Sequence, residues 1–199
     1  KKCLEEIGIK IDQLVYSGLA TAKSALTETE KELGVALVDI GGSITTITIF
    51  NEGAPVFSSV IPIGAGNVTN DLAIGLRFSL EDAEKIKLKL NKISDQKKYE
   101  DEVELSSFDI KSDDNRKISL QTSINGIIKP RLEEIFHLIY QKIEESGFHQ
   151  TIPAGIVLTG GGAQTINTKE VCEKIIPLQL RIASPPKVGG IIDDIINPG

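Results

Sequence analysis

Apolar residues follow two kinds of pattern along the chain, one typical of strands and one typical of helices. Residues 34–40 form a nearly continuous apolar run, which is typical of a strand buried on both faces. Residues 45–50 are rich in β-branched residues, and residues 55–63 follow a turn signal at 51–53, so both are predicted strands. Because the connections are short, we expect the three strands to form an antiparallel meander.

Spacings of three and four residues predict helices in much of the remaining chain. The strongest pattern spans 123–147, where Pro130 favours a kink near the beginning and Gly147 favours an end. Its apolar positions share one helix face: Ile128, Leu132, Ile135, Ile139 and Ile143. A predicted helix at 17–26 has small residues that suit a connector packed closely between two lobes: Gly18, Ala20, Ala22 and Ala25.

Two further helices are predicted after the meander. The first starts near residue 64 with Asn67 or Thr69 as its N-cap, and the second starts at Ser79. Asp82, at the third helical position, would complete an acidic capping box with Ser79. Shorter helical segments are predicted at 1–7, 168–176 and 185–196.

The remaining strands are shorter, and one region is irregular. Charged residues dominate 94–117, which predicts a loop-rich excursion. Strands are predicted at 9–14, 102–105, 117–120, 154–159 and 178–183. This order of elements favours an α/β fold in which helices cover a mixed sheet.

Composition narrows the class of protein. The 199 residues are 40% hydrophobic and 25% charged with a net charge of −6, which argues against a nucleic-acid surface. Two cysteines, Cys3 and Cys172, are too few for a disulfide scaffold and favour the reducing cytoplasm. No apolar run approaches the roughly 20 residues that cross a bilayer. Since the chain contains no Met, we expect it to be part of a longer polypeptide.

The first stretch with candidate chemistry joins the first two strands. Asp39 ends the buried run, and its short carboxylate could orient a water molecule or hold a hydrated Mg²⁺ beside a phosphate. Gly41 and Gly42 would let backbone N–H groups reach phosphate oxygens. Further donors would be the hydroxyl groups of Ser43, Thr45 and Thr46. The alternative is an ordinary turn stabilised by the Asp39 side chain.

Two more stretches carry candidate chemistry. Residues 158–167 contain three successive glycines after a buried strand, which favours either a loop close to a flat ligand or a tight strand-to-helix turn. Glu84 and Lys87 share a helix face and could bind a ribose or base edge, or form an ordinary surface ion pair. His137 and His149 have no partners at metal-ligand spacing. No nucleophile-elbow or P-loop motif is present, which excludes a hydrolase of the nucleophile-elbow type and a P-loop protein.

In this order and spacing, the three stretches resemble the actin-like ATPase superfamily and, within it, the FtsA family of bacterial cell-division proteins. The resemblance covers nearly the whole chain and is most specific in IIKPRLEEIFHLIYQKIEESG and PAGIVLTGGGA. It implies an actin-like (ribonuclease H-like) second lobe, a mixed sheet flanked by helices plus a smaller inserted α/β subdomain. Residues 1–33 would be the connector and interdomain helix, 34–66 and 147–199 subdomain IIA, and 67–146 the inserted subdomain IIB.

The resemblance also implies ATP and Mg²⁺ as cofactors. The second phosphate loop would comprise Asp39, Gly41, Gly42, Ser43 and Thr45, with Asp39 reaching the metal through water. Glu84 and Lys87 would lie at the ribose and adenine. The adenosine loop would comprise Gly160, Gly161, Gly162 and Ala163. The family's first phosphate loop is absent from this chain, so we expect the chain alone to bind ATP weakly.

The second phosphate loop departs from the family pattern. FtsA relatives usually have DIGGGTTD, whereas this chain has DIGGSITT. Ser43 replaces a glycine and could crowd a terminal phosphate, Ile44 replaces a threonine, and Thr46 replaces an aspartate that would help to position Mg²⁺ or water. These departures favour nucleotide binding over hydrolysis.

Family members polymerise as actin-like filaments and link the division protein FtsZ to the membrane. The resemblance therefore implies the FtsZ C-terminal tail as a partner, docking within 67–146, and self-association, with no nucleic acid. The full-length protein would be cytoplasmic, at the inner face of the cell membrane, through a tail absent from this chain. Alternatives are a PilM-like pilus-assembly adaptor, an actin-fold ATPase, chaperone or kinase lobe, and a structural lobe without nucleotide.

Overall fold

The computed structural model describes residues 1–92, 102–108, 110 and 117–183. The helices are α1 (Lys2–Glu6), α2 (Ser17–Ala25), α3 (Glu28–Leu33), α4 (Ala65–Leu76), α5 (Leu80–Leu90), α6 (Lys129–Glu145) and α7 (Thr168–Ile175). The strands are β1 (Val35–Ile40), β2 (Thr45–Asn51), β3 (Ala54–Ile61), β4 (Glu102–Glu104), β5 (Lys117–Ser119), β6 (Ile156–Thr159) and β7 (Leu180–Ile182). Most of the predicted elements are therefore confirmed in type and position.

Five strands form one mixed sheet in the order β3-β2-β1-β6-β7. The predicted meander is confirmed, since β1, β2 and β3 pair antiparallel, while β6 pairs parallel with both β1 and β7. β1 is central and buried along almost its whole length, as its apolar run predicts. The smaller β4 and β5 pair antiparallel in a second sheet.

The sheet is covered on both faces. Residues of α2 pack on one face in a small apolar cluster with Leu37 of β1 and Val157 of β6. Gly18 is required there, because a Cβ at this position would collide with the Thr48 hydroxyl on β2. The small residues predicted for the connector helix thus allow close approach to the sheet.

The opposite face carries the main core. That core joins residues of β1, β2 and β6 to residues of α4, α5, α6 and α7, and it extends to Leu105 and Ile118 around the small sheet. All five apolar positions predicted for α6 are 2% exposed or less. Pro130 lies in the first turn of α6, directly after a π-helical segment, Thr122–Ile128, so the helix changes its winding next to the proline. Gly147, with φ +76°, follows its end.

Four predictions need correction or restriction. Residues 9–14 form no strand, although they alternate in polarity. The N-cap of α4 is Gly64, and Asn67 acts from the third helical position by accepting a hydrogen bond from the Gly64 N–H at 3.0 Å. Ser79 caps α5 as predicted, but Asp82 accepts from the Ser79 hydroxyl group at 2.9 Å. Most of the 94–117 excursion, and the helical segment predicted at 185–196, lie outside the described residues.

Across the described residues, the structure contains no helix with both the length and the apolar character required to cross a membrane.

Candidate functional site

The three stretches singled out in the sequence meet around one cavity of about 180 Å³. Its lining residues come from the loop after β1, the start of α4, one face of α5 and the loop after β6: Gly42, Ala65, Glu84, Lys87, Leu88, Asn91, Gly161, Gly162 and Gln164. The parallel pairing of β1 with β6 accounts for this meeting, because the loops that follow parallel neighbours emerge at the same edge of a sheet.

The loop after β1 is fixed by hydrogen bonds to its own turn and to α4. The Gly41 N–H donates to the Ile44 carbonyl at 2.9 Å. The first N–H groups of α4, from Ala65 and Gly66, donate to the carbonyls of Gly41 and Gly42 at 2.9 and 2.7 Å. Among the described residues, the N–H groups of Gly42 and Ser43 have no acceptor. These two N–H groups are therefore available to donate to a ligand.

The hydroxyl residues of this loop occupy different environments. Ser43 is exposed at the tip of the hairpin. Thr45 is fully buried, and its hydroxyl donates to the Ile63 carbonyl at 2.8 Å. The structure therefore does not bring Thr45 to the cavity, and its hydroxyl fastens the hairpin to the segment that leads into α4.

Asp39 lies on the other face of β1 from the main core. Its neighbours in register are Thr46 on β2 and Thr159 on β6, and its carboxylate accepts a hydrogen bond from the Thr21 hydroxyl of α2 at 3.1 Å. The side chain is half-buried. No group of three or more His, Cys, Asp or Glu residues in the described part of the chain could hold a metal ion directly. A single carboxylate fits contact with a hydrated ion, which keeps its own water ligands.

Glu84 and Lys87 form an ion pair in which the lysine is buried and the glutamate is partly exposed, so the pair is not an ordinary surface one. The Lys87 ammonium lies 2.8 Å from the Glu84 carboxylate, and the lysine side chain is 8% exposed. It also donates to the Thr69 hydroxyl at 2.9 Å and to the Ala65 carbonyl at 3.4 Å. The pair therefore connects α5 to α4 at the wall of the cavity.

The glycines after β6 fall into two kinds. Gly160 has φ +86° and ψ 165°, a region that only glycine adopts readily, and a Cβ there would lie 2.5 Å from the Ile40 carbonyl oxygen. A Cβ at Gly162 would lie 2.8 Å from the same oxygen. A Cβ at Gly161 would meet open space, as would one at Gly42. The fold thus requires Gly160 and Gly162, whereas Gly42 and Gly161 leave space at the cavity.

Ala163, the last predicted member of this loop, is buried. It lines a neighbouring cavity of about 670 Å³ that also contacts Asn91 and Gln164, two residues of the first cavity. The two cavities are therefore adjacent along the same loop.

Several cavity residues were missed in the sequence. Leu88 and Asn91 lie four and seven positions after Glu84, so the helical period of α5 could have identified them. Asn91 also accepts a hydrogen bond from the Ile166 N–H at 2.9 Å. The sequence also did not show that Gly64 and Gly66, which flank the cavity residue Ala65, must be glycines. A Cβ on either would approach the Gly42 carbonyl oxygen to 2.7 Å. Only the docking of α4 on the hairpin reveals that requirement.

Comparison with solved structures defines the class of protein. The MreB5 protein of Spiroplasma citri, solved with AMPPNP, superposes with a TM-score of 0.72 at 23% identity over 92% of this chain and 58% of that one. A chain of the PilM–PilN type IV pilus biogenesis complex gives 0.55 at 16% identity, over 79% and 38%. The predicted fold class is confirmed: this is an α/β protein of the actin-like fold.

Comparison with known sequences identifies the family. Residues 36–199 match the family described as "Cell division protein FtsA". The chain is 39% identical over 202 residues to the cell division protein FtsA of Pseudomonas aeruginosa PAO1, covering 100% of this chain and 47% of that protein. This chain belongs to the FtsA family. It spans about half the length of the curated relatives it matches.

Proposed function

We propose that this chain is the nucleotide-binding C-terminal lobe of an FtsA-type cytoskeletal adaptor. The observation that carries the proposal is the meeting of three separate stretches at one cavity, where Gly42 and Gly161 keep space that protein packing does not need. Membership of the FtsA family and the actin-like fold support the same ligand class.

The cavity and the residues of the adjoining loop after β1 suit different parts of ATP. The free N–H groups of Gly42 and Ser43 would hold phosphate oxygens, and Asp39 would contact Mg²⁺ through water. Glu84 would accept a hydrogen bond from the ribose, and the backbone at Gly161 and Gly162 would lie along the adenine. Ligand pockets usually measure about 300–1,000 Å³. The cavity of about 180 Å³ therefore matches one part of a nucleotide.

Bound MgATP would bridge this lobe and the other lobe of the full-length protein, and so bias their closure. Binding is better supported than hydrolysis. Thr46, directly across the strand pair from Asp39, occupies the position where relatives carry an acid, and Ser43 adds a side chain at the hairpin tip.

Binding can be tested on this chain by calorimetric titration with ATP in the presence and absence of Mg²⁺. We expect weak binding that Mg²⁺ strengthens, and loss of that strengthening in Asp39→Ala, because no carboxylate then faces the hydrated ion. Asp12→Ala, which removes an exposed aspartate, is the matched control and should behave like the unmodified chain. Equal Mg²⁺ dependence in Asp39→Ala would contradict the role proposed for Asp39. Low-micromolar ATP binding by this chain alone would contradict the expectation of weak binding.

We further propose, from family membership, that the full-length protein polymerises and links FtsZ to the inner face of the cell membrane. The FtsZ C-terminal tail would dock within 67–146. Fluorescence anisotropy of a labelled FtsZ tail peptide tests this: saturable binding to this chain is expected, and cross-linking of the bound peptide only to residues outside 67–146 would refute the location.

The alternatives have less support. PilM shares the fold at 16% identity, whereas the FtsA family matches most of the chain.

A further inference from the structure

A buried threonine connects the two charged residues of the candidate site. Thr69 lies on α4 and is 6% exposed. Its hydroxyl donates to Glu84 Oε2 at 2.5 Å, while the Ala65 carbonyl, its other acceptor, lies at 3.4 Å. The shorter contact identifies Glu84 as the main acceptor of the hydroxyl proton. The hydroxyl oxygen in turn accepts from the Lys87 ammonium at 2.9 Å.

Lys87 is fully engaged inside the protein. An ammonium has three N–H donors, and Lys87 has three acceptors within 3.4 Å: Glu84 Oε2, Thr69 Oγ1 and the Ala65 carbonyl. It therefore has no donor left for a ligand. Its positive charge compensates the Glu84 carboxylate at 2.8 Å.

Glu84 is held by one oxygen only. Oε2 accepts from both Thr69 and Lys87, while Oε1 has no partner among the described residues. The side chain is 41% exposed and lines the cavity. An ionised carboxylate only accepts hydrogen bonds, so Oε1 is suited to a ligand group that donates, such as a sugar hydroxyl.

We infer that Thr69 is a positioning residue that sets ribose specificity, because its hydroxyl fixes the Glu84 carboxylate through Oε2 and leaves Oε1 available to a ligand in the cavity. Lys87 lines the same cavity and completes this arrangement as the counter-charge, with its N–H donors engaged by protein acceptors. The inference rests on the proposed nucleotide function and assigns Thr69 and Lys87 roles within it. Without the Thr69 hydroxyl, Glu84 can rotate and the bond to a ribose hydroxyl weakens.

The test compares ATP with 2′-deoxyATP and 3′-deoxyATP, all with Mg²⁺, by calorimetric titration of the 199-residue chain. Thr69→Val keeps the shape and removes the hydroxyl, Thr69→Ala removes it with less crowding, and Thr69→Ser restores it. Thr29→Val, at an exposed position of α3, is the matched control. Circular dichroism checks that each variant is folded. If Thr69→Val does not fold, the result for Thr69→Ala decides the test.

We expect the unmodified chain to prefer ATP over at least one deoxy analogue by about tenfold, the usual size of a charge-assisted hydrogen bond. Thr69→Val and Thr69→Ala should bring that ratio close to one by weakening ATP alone, and Thr69→Ser should keep it. A merely structural role would weaken all three nucleotides equally.

Two results would overturn the inference, and they are distinguishable. If the unmodified chain binds ATP but the variants weaken all nucleotides equally, or none, the role of Thr69 is refuted and the proposed function stands. If the unmodified chain binds no nucleotide even with Mg²⁺, the proposed function and the role of Thr69 fail together.

Discussion

At the scale of single residues, the two kinds of glycine in the loop after β6 separate folding from binding. Gly160 holds a backbone conformation that other residues adopt only at a cost, next to the Ile40 carbonyl. Gly161 is its direct neighbour and has open space where a side chain would begin. The same substitution at these two positions should therefore have opposite consequences.

Gly160→Ala should lower the free energy of unfolding by about 2 kcal/mol or more, through backbone strain and the contact with Ile40. Gly161→Ala should stay within about 0.5 kcal/mol of the unmodified chain, yet weaken ATP binding, because its methyl group enters the cavity. Urea unfolding and calorimetric titration measure the two effects. A destabilised Gly161→Ala that binds ATP normally would reverse this assignment.

Single residues also show what could not be predicted from the sequence. The spacing of Glu84 and Lys87 is the same for an exposed ion pair and for a buried one, and only the packing of α4 against α5 decides between them. Thr45 likewise has the hydroxyl expected of a phosphate ligand, but the hairpin places it inside. The glycine clusters after the two buried strands were informative because glycine allows close approach of the backbone to another group.

At the scale of elements, one carboxylate, that of Glu30, both caps α3 and binds it to β7. Glu30 accepts from the Thr27 N–H at 2.7 Å in a capping box, and Arg181 of β7 donates to both of its oxygens at 2.8 Å. Burial raises the pKa of Glu30, but the hydrogen bonds from Arg181 and Thr27 outweigh it and leave the pKa below its ordinary value of 4.5.

The direction of that shift fixes a pH dependence. A lowered pKa in the folded state means that Glu30 stabilises the fold above about pH 4.5 and loses this effect as the pH falls through the folded value. Glu30→Gln should cost about 1 kcal/mol at pH 7, a modest figure because Arg181 is partly exposed. Urea midpoints at pH 7, 5, 4 and 3 should show this difference shrinking below pH 4.5.

Glu32→Gln, at an exposed position on the same helix, is the control for that series. A difference between Glu30→Gln and the unmodified chain that stays constant down to pH 3 would show that the carboxylate is not stabilised in the folded state.

Elements with a strong pattern were predictable. The apolar run of β1 and the isoleucine face of α6 depend on burial alone, so the spacing of apolar residues in the sequence is enough to recognise them. Residues 9–14 alternate in the same way as a strand, but a strand also needs a partner, and the described residues provide none. The predicted connector helix ended near residue 26, and α3 was missed because only the capping box of Thr27 and Glu30 marks the start of this short helix in a polar stretch.

At the scale of the whole molecule, the sheet order determines the site. β6 lies beside β1 although more than a hundred residues separate them in sequence, so the loops after the two strands meet only in the folded chain. No local pattern encodes that pairing. The resemblance to the FtsA family, by contrast, predicted which loops would converge.

The main core runs without interruption from the sheet through α4 and α5 to α6 and the small sheet. A ligand at the cavity therefore also stabilises helices that do not contact it, because a ligand that binds only the folded form stabilises that form as a whole. A weakened core residue on α6 would reduce the folded population and lower apparent affinity without any contact to the ligand. We expect the chain to unfold cooperatively, so that ligand occupancy and stability are two measurements of the same equilibrium.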